Sequence, residues 1–429
     1  MGSVRILPAT VAVLLITFCE AARASEVSAG RSFDAASAGE LADLVSPGVG
    51  WAVGRGMKID VVDPAPIPWP KAYRDATEKY AGQVELDEGG LGVRNHVAGQ
   101  PFPAIDVNDP TAAIKIMWNY EYRPYPATDD FVEFEFPAES GAIRADQPMQ
   151  VERRMLVAEV RRLYYNDHLY VDPKPILPSQ EEYRFKEILG PIMSPVDLKG
   201  LGALTFRFRS AKRQDNTWLY VPTLRRVRRL STTERSEALS GQDTDPDSYW
   251  GYNGHIAWMD WKLLGVKKML AVMHGKHYPM KRCEGAADFA FCDQWELRDM
   301  YVIEGVSKLP QYAYGKRVIH IDREAWVVAY SDIFDRRGEL SKIWIDNHQF
   351  RTQARSGGTT YPEVKDFYAG FTMIDVQANH ATYTPHPGPD VPKHDGWHFD
   401  EGAKSKTRYS PAGSVDASFT VDALIRGGT

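Results

Sequence analysis

From about residue 129 onward, apolar and polar residues alternate along the chain. Glu133 and Glu135 separate Val132, Phe134 and Phe136, and Thr205, Arg207 and Arg209 are interleaved with Leu204, Phe206 and Phe208. Successive strand side chains point to opposite faces, so the pattern predicts antiparallel strands with one face buried. Leu297–Ile303 and Arg317–Tyr330 read the same way. Asp335-Arg336-Arg337-Gly338 reads as a hairpin turn before a strand over Leu340–Ile345. Before residue 129 the period is helical. Asp109-Pro110 is a helix start, a capping carboxylate followed by a first-turn proline, and Ala113, Ile116, Met117 and Tyr120 form one apolar face. Pro124 closes that helix. Shorter helices are expected around Ala35–Val45 and over Lys71–Ala81, and Pro64–Pro70 is a stiff connector between them. One long helix, Ile256–Met273, is expected among the strands, because Trp258, Trp261, Leu264 and Leu270 leave it mostly apolar. The tail from Pro385 is rich in Pro, Gly, His and charge. It is expected to form an irregular arm with at most one strand, Ala417–Val421.

The first residues read as an export signal. Arg5 is its positive end, Ile6–Phe18 its apolar run, and Ala22-Arg23-Ala24 a cleavage site before Ser25. Lipoprotein processing at Cys19 is disfavoured, because Phe18 stands where a small residue is required. Removing residues 1–24 leaves 405 of 429 residues and moves the formal charge from −6 to −7. A mildly acidic chain offers no global attraction for nucleic acid. No later segment is apolar enough to span a bilayer, so the mature chain is expected in the periplasm without a transmembrane span. In that oxidising compartment Cys283 and Cys292 are expected to pair and pin Glu284–Phe291 to the strand starting near Trp295.

Candidate chemistry is sparse. His274-Gly275-Lys276-His277 has neither the helical spacing nor the accompanying cysteine pair of a metal site, and reads as a polar loop beside the disulfide. Asp243-Thr244-Asp245-Pro246-Asp247 begins like a calcium loop but has Ser248 at the sixth position and Gly254 at the twelfth, so a solvated turn is expected. Gly89-Gly90-Leu91-Gly92 lacks the lysine of a phosphate-cradling loop. His320 and Asp322 share a predicted strand face near Glu324, but no nucleophile accompanies them. No metal, cofactor or catalytic residue is assigned.

Thr217–Leu230 carries the densest signal. Trp218 and Tyr220 share one face of a strand, and Leu219 and Val221 the other, so both faces should be covered. One reading is a core on each side; the other is that one face lines a cavity for an apolar ligand. In the arginine run that follows, Arg226 and Arg228 share a face with Leu224 and Leu230. They either pair with carboxylates at a sheet edge or form an anion site at a cavity mouth. The candidate ligand residues are therefore Trp218, Tyr220, Arg226 and Arg228, with Trp258 and Trp261 from the predicted long helix.

Ala72–Val84, Val97–Pro103, Asp109–Asn119, Asp197–Leu204, Asn216–Leu230 and Tyr314–Asp322 together resemble an exported proteobacterial family, domain of unknown function 1329, which is related to the Lol lipoprotein-sorting carriers. The resemblance implies an α+β, mainly β fold: a large, curved, unclosed antiparallel sheet with helices on its concave side around an apolar cavity. It also implies work beside an RND-type exporter or an outer-membrane component. The resulting organisation is an export signal (1–24), an N-terminal helical and extended region (25–128), a sheet domain (129–384) and a C-terminal arm (385–429).

The expected function is a non-enzymatic periplasmic carrier or chaperone for a lipid or other hydrophobic molecule. One rival is an adaptor module of an efflux or secretion complex with no ligand of its own, motivated by Tyr249–Trp261 and Arg225–Arg229 as exposed patches. The other is an enzyme acting on a lipid or glycan.

Overall fold

The computed structural model describes residues 27–178, 180–230, 235–388 and 395–428; the export signal and Cys19 lie outside them. The strands are β1 (Ser32–Phe33), β2 (Ile59–Val62), β3 (Glu85–Leu86), β4 (Val93–Arg94), β5 (Asp130–Ala142), β6 (Gln150–Tyr164) and β7 (Tyr183–Leu189). They continue with β8 (Ile192–Ser194), β9 (Gly202–Phe208), β10 (Asn216–Val221), β11 (Arg226–Arg229), β12 (Met259–Ala271), β13 (Asp293–Ser307) and β14 (Lys316–Asp322). The last are β15 (Val328–Phe334), β16 (Leu340–Asn347), β17 (Phe350–Gln353), β18 (Thr360–Asp366), β19 (Gly370–Asp375), β20 (His380–Pro385) and β21 (Trp397–Phe399). The α-helices are α1 (Pro47–Gly54), α2 (Lys71–Tyr80), α3 (Ala112–Glu121) and α4 (Val421–Gly428).

Seventeen of these strands form one sheet. Its spine runs β11, β10, β9, β7, β6, β5, β20, β19, β16, β15, β14, β13, β12, with every spine pairing antiparallel. No pairing among the described residues joins β11 to β12, so the sheet is unclosed. The N-terminal region joins it through β2, which lies parallel to the start of β13. In a flat sheet, Leu219 on β10 and Trp344 on β16 would be seven strand spacings apart, about 34 Å. They line one cavity, so the sheet curves around it.

Both faces are covered. On the concave face, α3 packs Ile116, Met117 and Tyr120 into a core with Ile303, Ile319 and Ile321. On the outer face, α1 sits over β15 and β16. Ser46 caps that helix by accepting from Val49 N at 3.1 Å, and Asp332 accepts from Ser46 Oγ and Gly48 N. A Cβ at Gly48 would lie 2.3 Å from Asp332 Oδ1, so the contact requires glycine. This anchor places the helix after Ser46. The predicted Ala35–Val45 helix is reduced to a 3-10 turn, Ala38–Leu41.

The expected helix over Ile256–Met273 is instead a 3-10 turn, Ile256–Trp258, followed by β12. A bulge at Leu264 shifts the register between Leu263 and Gly265. That breaks the two-residue period and makes the strand look apolar all round. β12 is also an edge, which leaves Leu264 and Val266 exposed. Cys283 and Cys292 are disulfide-bonded, and their loop buries Ala287, Phe289, Ala290 and Phe291 in the outer core.

The C-terminal arm is more ordered than its composition suggests. The expected strand at Ala417–Val421 is a 3-10 turn, Asp416–Ser418, leading into α4. Val421, Leu424 and Ile425, spaced for one helix face, pack with Phe419 on the outer side of β9 and β10 against Leu204, Phe206, Trp218 and Tyr220. Leu424→Ala should therefore lower unfolding free energy by about 2–4 kcal/mol, read from urea denaturation curves.

Candidate functional site: a cavity on the concave face

Cross-strand register determines which side chains face inward, because directly paired residues share a face. Leu219 pairs with Ala203, Ala203 with Leu189, Leu189 with Val160, and Val160 with Glu133. This row forms part of the wall of a cavity of about 350 Å³. A neighbouring row, Thr217, Thr205, Glu187 and Arg162, lines it as well. Trp344, Phe371, Thr384 and His386 close the far side, and the segment from Arg235 to Asn253 lies across the top.

The polar set of β9, Thr205 and Arg207, is thus the cavity face, while the apolar set, Leu204 and Phe206, lies beneath α4. Trp218 and Tyr220 belong to that outer core; Thr217 and Leu219 between and beside them face the cavity. Trp258 lies beside Arg235, whose guanidinium is 5.2 Å from its ring, and Trp261 packs on Tyr252. Neither tryptophan lines the cavity. Arg228 pairs with Leu219 and Arg226 with Val221, so both arginines share the cavity's face, but they stand exposed on edge strand β11 outside it. Of the six expected ligand residues, the structure brings only these two to the cavity side.

β5 shows why Glu133 was illegible. Glu135 adopts a left-handed backbone (φ 55°), which interrupts the alternation. Glu133 and Phe136, three residues apart, therefore both line the cavity. Glu133 is buried there, with Oε1 in direct contact with His386 Nδ1. The His386 ring stacks 4.3 Å from Phe136, and burial holds its imidazole well below the ordinary range, so it is neutral near pH 7.

The arginines of the wall and Asp215 are paired. Arg162 Nε donates to Glu187 Oε2 at 2.8 Å, and its guanidinium lies 4.0 Å over the Phe185 ring. Asp215 Oδ2 accepts from Arg207 Nη2 and Arg235 Nη1, each at 2.9 Å. Burial works against the ionised form of Asp215, yet the two guanidinium groups prevail and hold its carboxyl at about 2. Arg235 also donates to Asp247 at 2.7 Å. The acidic run expected as a solvated turn is in fact buried, because each of its carboxylates meets a basic group: Asp243 His380, Asp245 Arg317, and Asp247 Arg235. Tyr249 and Trp250 line the cavity and Tyr252 is buried, so this part of the aromatic segment is not an exposed patch.

The remaining candidates lie elsewhere. His274 Nδ1 is 2.7 Å from Glu296, and Lys276 N donates to Asp293, a polar loop beside the disulfide. His320 packs against the Tyr330 ring and Asp322 binds Arg298; neither lines the cavity. Among the described residues no cluster of His, Cys, Asp and Glu is arranged to hold a metal ion, and no helix is long and apolar enough to cross a membrane.

Comparison with known proteins adds a family. The sequence profile of DUF1329, proteins of unknown function, matches residues 32–424. An uncharacterized protein of Pseudomonas aeruginosa is 25% identical over 292 residues, 64% of this chain and 58% of the relative's own length. Among solved structures, a Vibrio parahaemolyticus domain provisionally assigned to outer membrane lipoprotein sorting aligns with TM-score 0.47 and 15% identity, over 73% of this chain and 98% of its own. A DUF1329 family protein from Desulfovibrio piger aligns with TM-score 0.43 and 14% identity, over 69% of this chain and 92% of its own.

The Asp215 carboxylate has a depressed pKa in the folded state. Its contribution is present above the unfolded value, about 3.9, and is lost as pH falls toward 2. Asp215→Asn should cost about 2–4 kcal/mol at pH 7. In urea denaturation at pH 7, 4 and 3, the gap from the unsubstituted protein should narrow at the lowest pH.

Proposed function

The chain belongs to the DUF1329 family, and we propose that it is a non-enzymatic periplasmic carrier or chaperone that holds a lipid or other hydrophobic molecule in the concave cavity. The observation that carries this reading is the cavity itself. Its volume of about 350 Å³ is within the range of small-molecule sites, and Phe136, Val157, Leu189, Leu219, Trp344 and Phe371 line it. Transfer of apolar ligand surface into such a wall supplies roughly 25 cal/mol per Å² removed from water. The paired charges in the wall suit a binding site better than a reactive one, since their partners occupy them.

The periplasmic location rests on the export signal and the work beside an envelope exporter on the family resemblance. Arg226 and Arg228, on the cavity's face at the open edge, are the basic groups best placed to meet an anionic surface there. Trp218 and Tyr220 contribute to the carrier through the outer core.

Protein purified from the periplasm, extracted with organic solvent and examined by mass spectrometry, should release an apolar compound at about one molecule per chain. Leu219→Trp and Ala203→Phe, which fill the cavity, should reduce its occupancy at least roughly tenfold, with circular dichroism unchanged. A protein that releases no such compound and takes up no apolar fluorescent dye is not a carrier.

A further inference from the structure

Six buried polar atoms without hydrogen-bond partners among the described residues belong to cavity-lining side chains: Glu133, Asp215, Gln242, Thr384 and both ring nitrogens of His386. Unmade hydrogen bonds in buried groups are costly, so their gathering in one wall calls for an explanation. Asp215 already binds two arginines through its other oxygen. Glu133 and His386 are in direct contact. Gln242 Nε2, Thr384 Oγ1 and His386 Nε2 are left.

These three come from two elements held against each other. Asp243 N donates to Thr382 Oγ1 at 2.8 Å, which lays the 242–243 backbone over β20. Thr384 and His386 follow Thr382 at two-residue steps, and both line the cavity. Gln242, Thr384 and His386 are each at least 95% buried, whereas Glu237 and Ser240, which also line the cavity, are exposed. The three polar groups thus lie at the buried, inner end.

We propose that this inner end is a hydrogen-bonding subsite for an uncharged polar group, an alcohol or an amide, on an otherwise apolar ligand. The proposal rests on the carrier reading above. Gln242 Oε1 already accepts from Thr244 Oγ1, so its free Nε2 is a donor. With His386 Nδ1 turned to Glu133 and carrying the proton, Nε2 is an acceptor. The Thr384 hydroxyl serves as either. A hydroxyl or amide offers both a donor and an acceptor and satisfies this set. A carboxylate or phosphate would lie near Glu133, with no unpaired cation among the described residues of the wall to meet it. An ammonium would be drawn to Glu133, whose Oε1 is already against His386 Nδ1, but it offers donors alone and leaves the Gln242 N–H unmade.

The test uses the mature chain loaded with the dye N-phenyl-1-naphthylamine, displaced by twelve-carbon probes: 1-dodecanol, dodecanamide, dodecanoate and dodecylammonium. Dodecanol and dodecanamide should displace the dye at concentrations about tenfold lower than the two charged probes. Thr384→Val together with Gln242→Leu should collapse that ratio to about threefold or less. A charged probe that equals dodecanol, or a ratio that survives the double substitution, overturns the subsite while leaving the carrier reading intact. A protein that binds neither dye nor any probe overturns the carrier reading itself.

Discussion

Side chains alternate along a strand, so an open sheet presents two surfaces, and here both carry apolar side chains that must be kept from water. This protein meets that constraint with different parts of the chain on each face. α1 and the disulfide loop cover one stretch of the outer face, and the C-terminal arm covers another. α3 and the Arg235–Asn253 segment occupy the concavity. The N-terminal region and the tail are therefore structural parts of the sheet's burial. Without α4, Tyr220 and Leu204 would face solvent on the back of the cavity wall.

The concave face carries buried charges, and this separates the cavity wall from an ordinary apolar core. Arg162 with Glu187, and Arg207 and Arg235 with Asp215, form ion pairs in the wall. Buried pairs contribute little net stability, but breaking one is costly. They therefore fix side-chain positions in the wall. Aromatic surfaces such as Phe185 beneath Arg162 add to that rigidity. The cavity lies between this polar-braced wall and the apolar wall of Phe136, Trp344 and Phe371. An amphiphile suits such a surface better than a plain hydrocarbon, because it can use both kinds of wall.

Much of the sheet was legible. The alternation at Leu204–Phe208, the turn at Asp335–Gly338 and the apolar face of α3 all depend on local period and turn chemistry, and the structure realises them. The Cys283–Cys292 pairing was legible from compartment and count. Illegible features share a cause. At Glu135 and Leu264 the backbone departs from a regular strand, and every later residue changes face or spacing. Period-two reasoning carried through an unseen irregularity turns a cavity residue into a surface one, as with Glu133, and an edge strand into a helix, as with β12.

The sequence by itself determined that the chain is strand-rich, that β10 has two covered faces, and which residues share each face. Only the tertiary structure decided which face is the cavity. Trp218 and Tyr220 look like the ligand side because aromatic residues carry the larger apolar surface, yet α4 arrives from two hundred residues away and claims them. The smaller and more polar face, with Thr217, Leu219, Thr205 and Arg207, then becomes the wall of the cavity. Alternation assigns residues to faces, but curvature and the covering elements assign those faces to core or cavity, and both depend on contacts between residues far apart in the chain.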